Sequence, residues 1–151
     1  MLSTLVVMLD TGVWIRGVFF RRGIPARVLR AWRDGRFEIV ATSETLAELE
    51  RKLREKVSEF GAEPALAEEW MAYVKTFARV TPVTAAVSGV CRDPDDDSLL
   101  SAALSGEARY IVSSDHDLQV LGEYQGVKVL SPREFAELLG IVQPLTPSGD
   151  A

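Results

Sequence analysis

Leu5-Val6-Val7-Met8-Leu9-Asp10-Thr11-Gly12 is the stretch whose reading decides the fold. Its five consecutive apolar residues show no polar alternation, so they fit a short strand covered on both faces, as in a parallel sheet flanked by helices. In such sheets ligands bind beyond the carboxyl ends of the strands, near the point where strand order reverses. Asp10 stands at that end and is the first candidate site residue.

The chain beyond it alternates between the two periodicities. Val13–Phe20 reads as a short helix, and Pro25 suits the first turn of a helix that Asp34-Gly35 stops. Phe37–Ala41 is a second strand. Thr42-Ser43 caps a helix from Glu44 to about Ser58, with Leu46, Leu49, Leu53 and Val57 at helical spacing. Glu63–Ala78 is a further helix carrying Trp70, Tyr73 and Phe77, whose spacing suits a core or a subunit interface. Val80–Ala86 is an edge strand or loop. Arg109–Ser113 is a strand, Ser114-Asp115 opens a short helix through Leu121, and Gly126–Leu130 is the last strand. Ser131-Pro132-Arg133-Glu134 combines a cap, a proline at the first position and a capping-box glutamate. That helix ends near Gly140. The predicted fold is α/β, a three-layer α/β/α sandwich with a central parallel sheet, in one domain over 1–140. Residues 141–151, rich in proline and small residues, are expected to form a flexible tail.

Bulk properties agree. The chain has 151 residues, 47% hydrophobic and 26% charged, which describes an ordinary folded domain. Cys91 is the single cysteine, so no intramolecular disulfide exists and a reducing compartment is expected. No apolar run reaches about 18 residues, and no basic leader precedes Leu5, so the expectation is a cytoplasmic protein without a membrane span. The net charge of −5 hides an asymmetry. Residues 1–60 carry eleven Lys or Arg against eight Asp or Glu, whereas 61–151 carry six against fourteen. Between Trp14 and Arg36 seven arginines face one aspartate, a cluster that could hold phosphates or simply form a solvated surface.

The densest acidity is Asp93-Pro94-Asp95-Asp96-Asp97, pressed against Ser98-Leu99-Leu100. A helix start tolerates one or two acids, because its free N–H groups and dipole are positive. Asp93 suits the cap. From Asp96, the offsets i+3, i+4, i+7 and i+8 are Leu99, Leu100, Ala103 and Leu104, all apolar, so Asp96 heads the buried stripe. Asp95 and Asp97 are expected to face solvent. Each acid has an ordinary alternative as a helix cap, and Asp115 could cap the turn containing Asp117. Together, carboxylates converging at one end of a sheet must be protonated or neutralised by a cation. An oxygen-only set, with one histidine and one cysteine in the chain, points to Mg²⁺ or Mn²⁺.

Leu9-Asp10-Thr11, Thr45-Leu46-Ala47-Glu48-Leu49, Asp93-Pro94-Asp95-Asp96 and Ile111-Val112-Ser113-Ser114-Asp115-His116-Asp117, in this order and spacing, resemble the PIN-domain family. The similarity runs from about Leu5 to Leu139 and is strongest to the branch of toxin components of toxin–antitoxin systems. The resemblance implies a metal-dependent ribonuclease that hydrolyses RNA phosphodiester bonds with a metal-activated water. It implies metal ligation by Asp10, Glu48, Asp96 and Asp115, with Asp117 close by as a catalytic acid and the Thr11 hydroxyl supporting Asp10. It further implies an RNA substrate, an antitoxin partner and a homodimer. Glu48 has an equal alternative as a solvated helix glutamate, and the Ala47-Glu48-Leu49 motif selects it. Trp14, Phe19 and Phe20, beside the arginines, would grip RNA or an antitoxin peptide. Two positions depart from the family pattern. Gly12 stands where Asn is usual, and Ser113-Ser114-Asp115 where Thr-Gly-Asp is common. The alternative reading is a catalytically degenerate PIN-like module that binds RNA or a partner. A phosphoacceptor receiver domain would need paired acids after the first strand and a lysine beyond the last, and neither is present. A haloacid-dehalogenase-type phosphatase would need Asp-x-Asp after the first strand.

Overall fold

The computed structural model describes residues 4–145. The apolar opening run forms β1 (Val6–Leu9), and it lies inside a six-stranded sheet. In spatial order the strands are β3 (Arg79–Val80), β2 (Glu38–Ala41), β1, β4 (Tyr110–Val112), β6 (Val127–Leu130) and β5 (Glu123–Tyr124). The pairings of β1 with β2 and β4, of β2 with β3 and of β4 with β6 are parallel. β5 runs antiparallel to β6, with Tyr124 opposite Val127. Gln125 and Gly126 between them both have positive φ, 48° and 88°, as a two-residue hairpin turn with the twist of a β-ribbon demands. The sheet is therefore mostly parallel, with one antiparallel edge strand. A glutamine at the first turn position is not a usual hairpin signal, so β5 left no mark in the sequence.

Side chains of the strands alternate between two cores. Val7, Leu9, Ile39 and Val112 point into one, while Met8, Val40 and Ile111 point into the other. This is why β1 reads as unbroken apolar sequence. The first core is covered by α1 (Thr11–Phe19), α2 (Ile24–Arg33), α3 (Ser43–Glu59), α4 (Ala65–Phe77) and α7 (Pro132–Leu139). The second is covered by α5 (Pro94–Ser105) and α6 (His116–Leu121). Three layers result. α1 and α2 touch at Gly17, where a Cβ would collide with the Leu29 side chain and lie 3.1 Å from the Pro25 carbonyl. No helix among the described residues is long and apolar enough to cross a membrane.

Four sequence readings change here. Trp14 is 4% exposed and packs edge-on against Trp32 at 5.3 Å, so it belongs to the core and grips nothing. The arginine cluster disperses once folded. Arg27 and Arg36 donate to the carbonyls of Ile141 and Leu139 at 2.7 Å, satisfying the C-terminal end of α7 and the residues after it. Arg33 stacks over Trp70 and Tyr73. Ile141 and Val142, expected in a flexible tail, pack against the first core. The rest of that tail, from residue 146, lies outside the described residues.

The fourth change concerns Asp97, expected to face solvent, which is 6% exposed. Its carboxylate accepts the backbone N–H groups of Gly89 at 2.9 Å and Cys91 at 2.8 Å. Ser101 and Ser105, one and two turns further along α5, accept those of Val87, Thr84 and Ala85. The N–H of Cys91, then burial and the Gly89 N–H, set the balance that holds the Asp97 carboxyl below its ordinary range. A polar stripe on α5 thus holds the loop after β3 by its main-chain amides.

Candidate functional site

The order of strands reverses between β1 and β4, and the acids gather there. Asp10 follows β1 directly, its N–H donating to the Val112 carbonyl at 3.0 Å. It occupies the N-cap position of α1, yet its side chain makes no capping hydrogen bond. The carboxylate instead accepts the Ser113 hydroxyl at 2.6 Å. Ser113 is fully buried at the end of β4, and its Oγ also accepts the N–H of Asp115 at 2.9 Å. One hydroxyl therefore fixes the backbone of one acid and the carboxylate of another. Asp115 does cap its helix, accepting the Leu118 N–H at 3.1 Å, which leaves its second oxygen free of the cap.

α5 supplies Asp96. Asp93 takes the cap, accepting the Asp95 N–H at 2.9 Å with Pro94 at the first helical position, as the sequence indicated. Asp96 is half-buried beside the cleft. Burial, then the charges of Asp115, Asp10, Asp93 and Asp117, push its carboxyl up to about 7. Burial likewise raises Asp10, opposed by the Ser113 hydrogen bond. Carboxylates from three separate elements thus feel one another.

Asp10, Asp96, Asp115 and Glu48 all line one cleft of about 790 Å³. Glu48 sits apart from the other three within it. Its carboxylate takes a forked pair of hydrogen bonds from the Arg51 Nη2 at 3.0 Å, and the carboxyl that its charge raises is Asp95, not Asp96. Asp117 does not line the cleft. It turns toward Arg92, 3.6 Å away at the surface, and acts on Asp96 only through its charge. Thr11 and Gly12 also line the cleft, and a Cβ at Gly12 would meet only Arg16 Nη2, at 3.7 Å. The departure from the family pattern at Gly12 is not forced by packing.

The donor chemistry suits a hard divalent cation: oxygen ligands only, one carboxylate not used as a cap, and a second holding its proton to about 7. Among the described residues, no three His, Cys, Asp or Glu side chains are drawn together closely enough to bind one ion as they stand. They ring the cleft instead. The same cleft carries Arg16, a member of the arginine cluster, and Arg51, Lys52 and Lys56 of α3, which the leucine stripe of that helix does not mark. The signal was present: Glu44, Glu48, Lys52 and Lys56 recur every four residues along a second face of that helix.

A doubly wound sheet of this order, with carboxylates at its reversal point, defines a class in which the PIN domain is one member. A family model for the PIN domain matches residues 6–117, and the chain belongs to the PIN-domain family, whose members are generally nucleases that use divalent metal ions. Among solved structures, the chain resembles one from the crystal structure of VapBC2 from Rickettsia felis bound to a DNA fragment from their promoter. The TM-score is 0.56 and the identity 13%, over 84% of this chain and 98% of that one. At that identity the likeness is one of fold. No curated protein matches the chain by sequence.

Proposed function

We propose that this PIN domain is a metal-dependent ribonuclease and the toxin of a toxin–antitoxin pair. The observation that supports it is the mutual effect of Asp10, Asp96 and Asp115 across one cleft, which lifts Asp96 to about 7. Those three, with Glu48 once it leaves Arg51, would hold Mg²⁺ or Mn²⁺. When bound, the ion would lower the pKa of a water molecule and screen the charge of the phosphate. The chain's own residues do the positioning. Ser113 holds Asp10 and the backbone of Asp115, so two donors keep a fixed relation at the sheet end. The Thr11 hydroxyl stands in the cleft lining next to Asp10. Asp117 contributes through its charge.

The toxin assignment rests on family resemblance and on the fold shared with the VapBC2 chain. It brings with it an antitoxin partner and a homodimer. The exposed Phe77, beside Tyr73 on α4, is available to a subunit contact. A small reading frame adjacent to this one, whose product co-purifies with the chain, is the expected companion.

The test is cleavage of single-stranded RNA with excess Mn²⁺, abolished by EDTA and by Asp10→Asn or Asp96→Asn. Wild-type protein that binds RNA but leaves it intact under these conditions identifies a binding module instead.

A further inference from the structure

The cleft is two-signed along α3. Glu44, Glu48, Lys52 and Lys56 stand at successive turns on the face that lines it, acids toward the N-terminus of the helix and cations toward the C-terminus. At 1.5 Å of rise per residue, Lys52 and Lys56 are about 6 Å apart along the axis. The cations differ in how they are occupied. Arg51 is tied to Glu48 at 3.0 Å and to Glu55 at 3.4 Å. Lys56 reaches Glu59 at 3.0 Å and lies over the Phe60 ring. Lys52 is half-buried and makes no hydrogen bond or ion pair among the described residues.

An ammonium unpaired among the described residues, in the lining of an acidic cleft, is available to an anion. A second carboxylate of the chain is the nearest internal claimant, because Asp95 feels the charge of Lys52, yet no contact joins them. We infer that Lys52 and Lys56 form a phosphate track: a single RNA strand lies along α3, its reacting phosphate at the acidic end and its next two phosphates on Lys52 and then Lys56. This rests on the ribonuclease reading and assigns the direction in which the substrate runs. The rise of about 6 Å between the two positions is close to the spacing of successive phosphates in an extended strand. The two lysines follow one line along one helix, as the phosphates of a single strand do. Compact ammonium charges on flexible stems suit phosphates whose position shifts from one substrate to the next.

The experiment is binding of a short labelled oligouridine in EDTA, where no cleavage occurs, followed by anisotropy across salt from about 50 to 200 mM. Lys52→Gln is expected to reduce the slope of log affinity against log salt by about 0.7, and Lys52→Gln with Lys56→Gln by about twice that. Lys52→Arg keeps the slope. Lys75→Gln, which removes a cation paired with Glu50 outside the cleft lining, leaves it unchanged. Wild type that binds RNA with a slope unaltered by the double substitution overturns the track and leaves the nuclease reading standing. A double substitution that lowers the melting temperature without altering the slope assigns the lysines to stability, and also overturns it. Wild type that neither binds nor cleaves RNA overturns the nuclease reading, and the track with it.

Discussion

Neighbouring aspartates in one helical turn have opposite fates, and the difference is what faces each. Asp97 is surrounded by N–H donors and titrates below its ordinary range, whereas Asp96 looks into a cleft of other acids and titrates near 7. A carboxyl raised in the folded state keeps its proton while the unfolded chain loses its own. The native state then binds more protons between the ordinary value of 3.8 and about 7, so this group makes the metal-free protein less stable as pH rises through that window. Asp96→Asn should raise the melting temperature in EDTA at pH 8 and flatten its fall between pH 4 and 7. A lowered melting temperature at both ends would assign Asp96 to the capping and packing of α5. Ser113→Ala tests the shared hydroxyl. Loss of the 2.6 Å bond to Asp10 is expected to cost about 1–3 kcal/mol in denaturant unfolding, and roughly 10- to 100-fold in Mn²⁺ affinity, the usual effect of losing a group that orients a metal ligand. Burial and the Asp97 carboxylate push the Cys91 thiol up to about 11, which disfavours the thiolate. The stripe of Leu99, Leu100 and Ala103 points to Asp96, which lines the cleft, and Asp93 and Asp95 line it as well. The role of Asp97 was hidden, because its partners are amides of a loop whose path no periodicity reveals.

At the scale of elements, the sequence was clearest where one helix end determines its own structure. Ser131 and Glu134 close a capping box at 3.0 and 2.8 Å, as their spacing announces. Thr42 does the same with Thr45, a variant that lacks the usual glutamate and whose partner was therefore not named beforehand. Elements that depend on pairing were harder. The two residues of β5 have meaning only beside β6, and the two of β3 only beside β2. α3 carries two faces at once, and the louder leucine stripe masked the charged one. On that charged face Arg51 and Glu48 hold each other one turn apart. If Glu48 joins the metal site, Arg51 competes with the ion for it. Arg51→Ala should then tighten Mn²⁺ binding in calorimetry by about two- to fivefold, the worth of an exposed ion pair. Unchanged or weaker binding would remove Glu48 from the ligand set.

For the molecule as a whole, the reversal of strand order beside β1 turns local sequence features into a site. If that site holds a divalent ion, proton and metal compete for it. The stabilisation given by a saturating ion, about 2.7 kcal/mol at a hundred times its dissociation constant, should persist above pH 7 and fade below it. Affinity is expected to drop about tenfold per pH unit as Asp96 retains its proton. A melting-temperature shift with Mn²⁺ that is the same at pH 5.5 and pH 8 would exclude Asp96 from the ligands. The sheet order also has a consequence for the order of synthesis. Asp10 leaves the ribosome before its partners, since the hydroxyl that holds it is 103 residues further along, and Asp115 follows that. A chain still being translated contains β1, α1 and even α3 without the opposite wall of its cleft. The complete acidic set exists only once Asp115 has been made, so a protein that cuts RNA would be incapable of doing so until then, while still attached to the RNA encoding it.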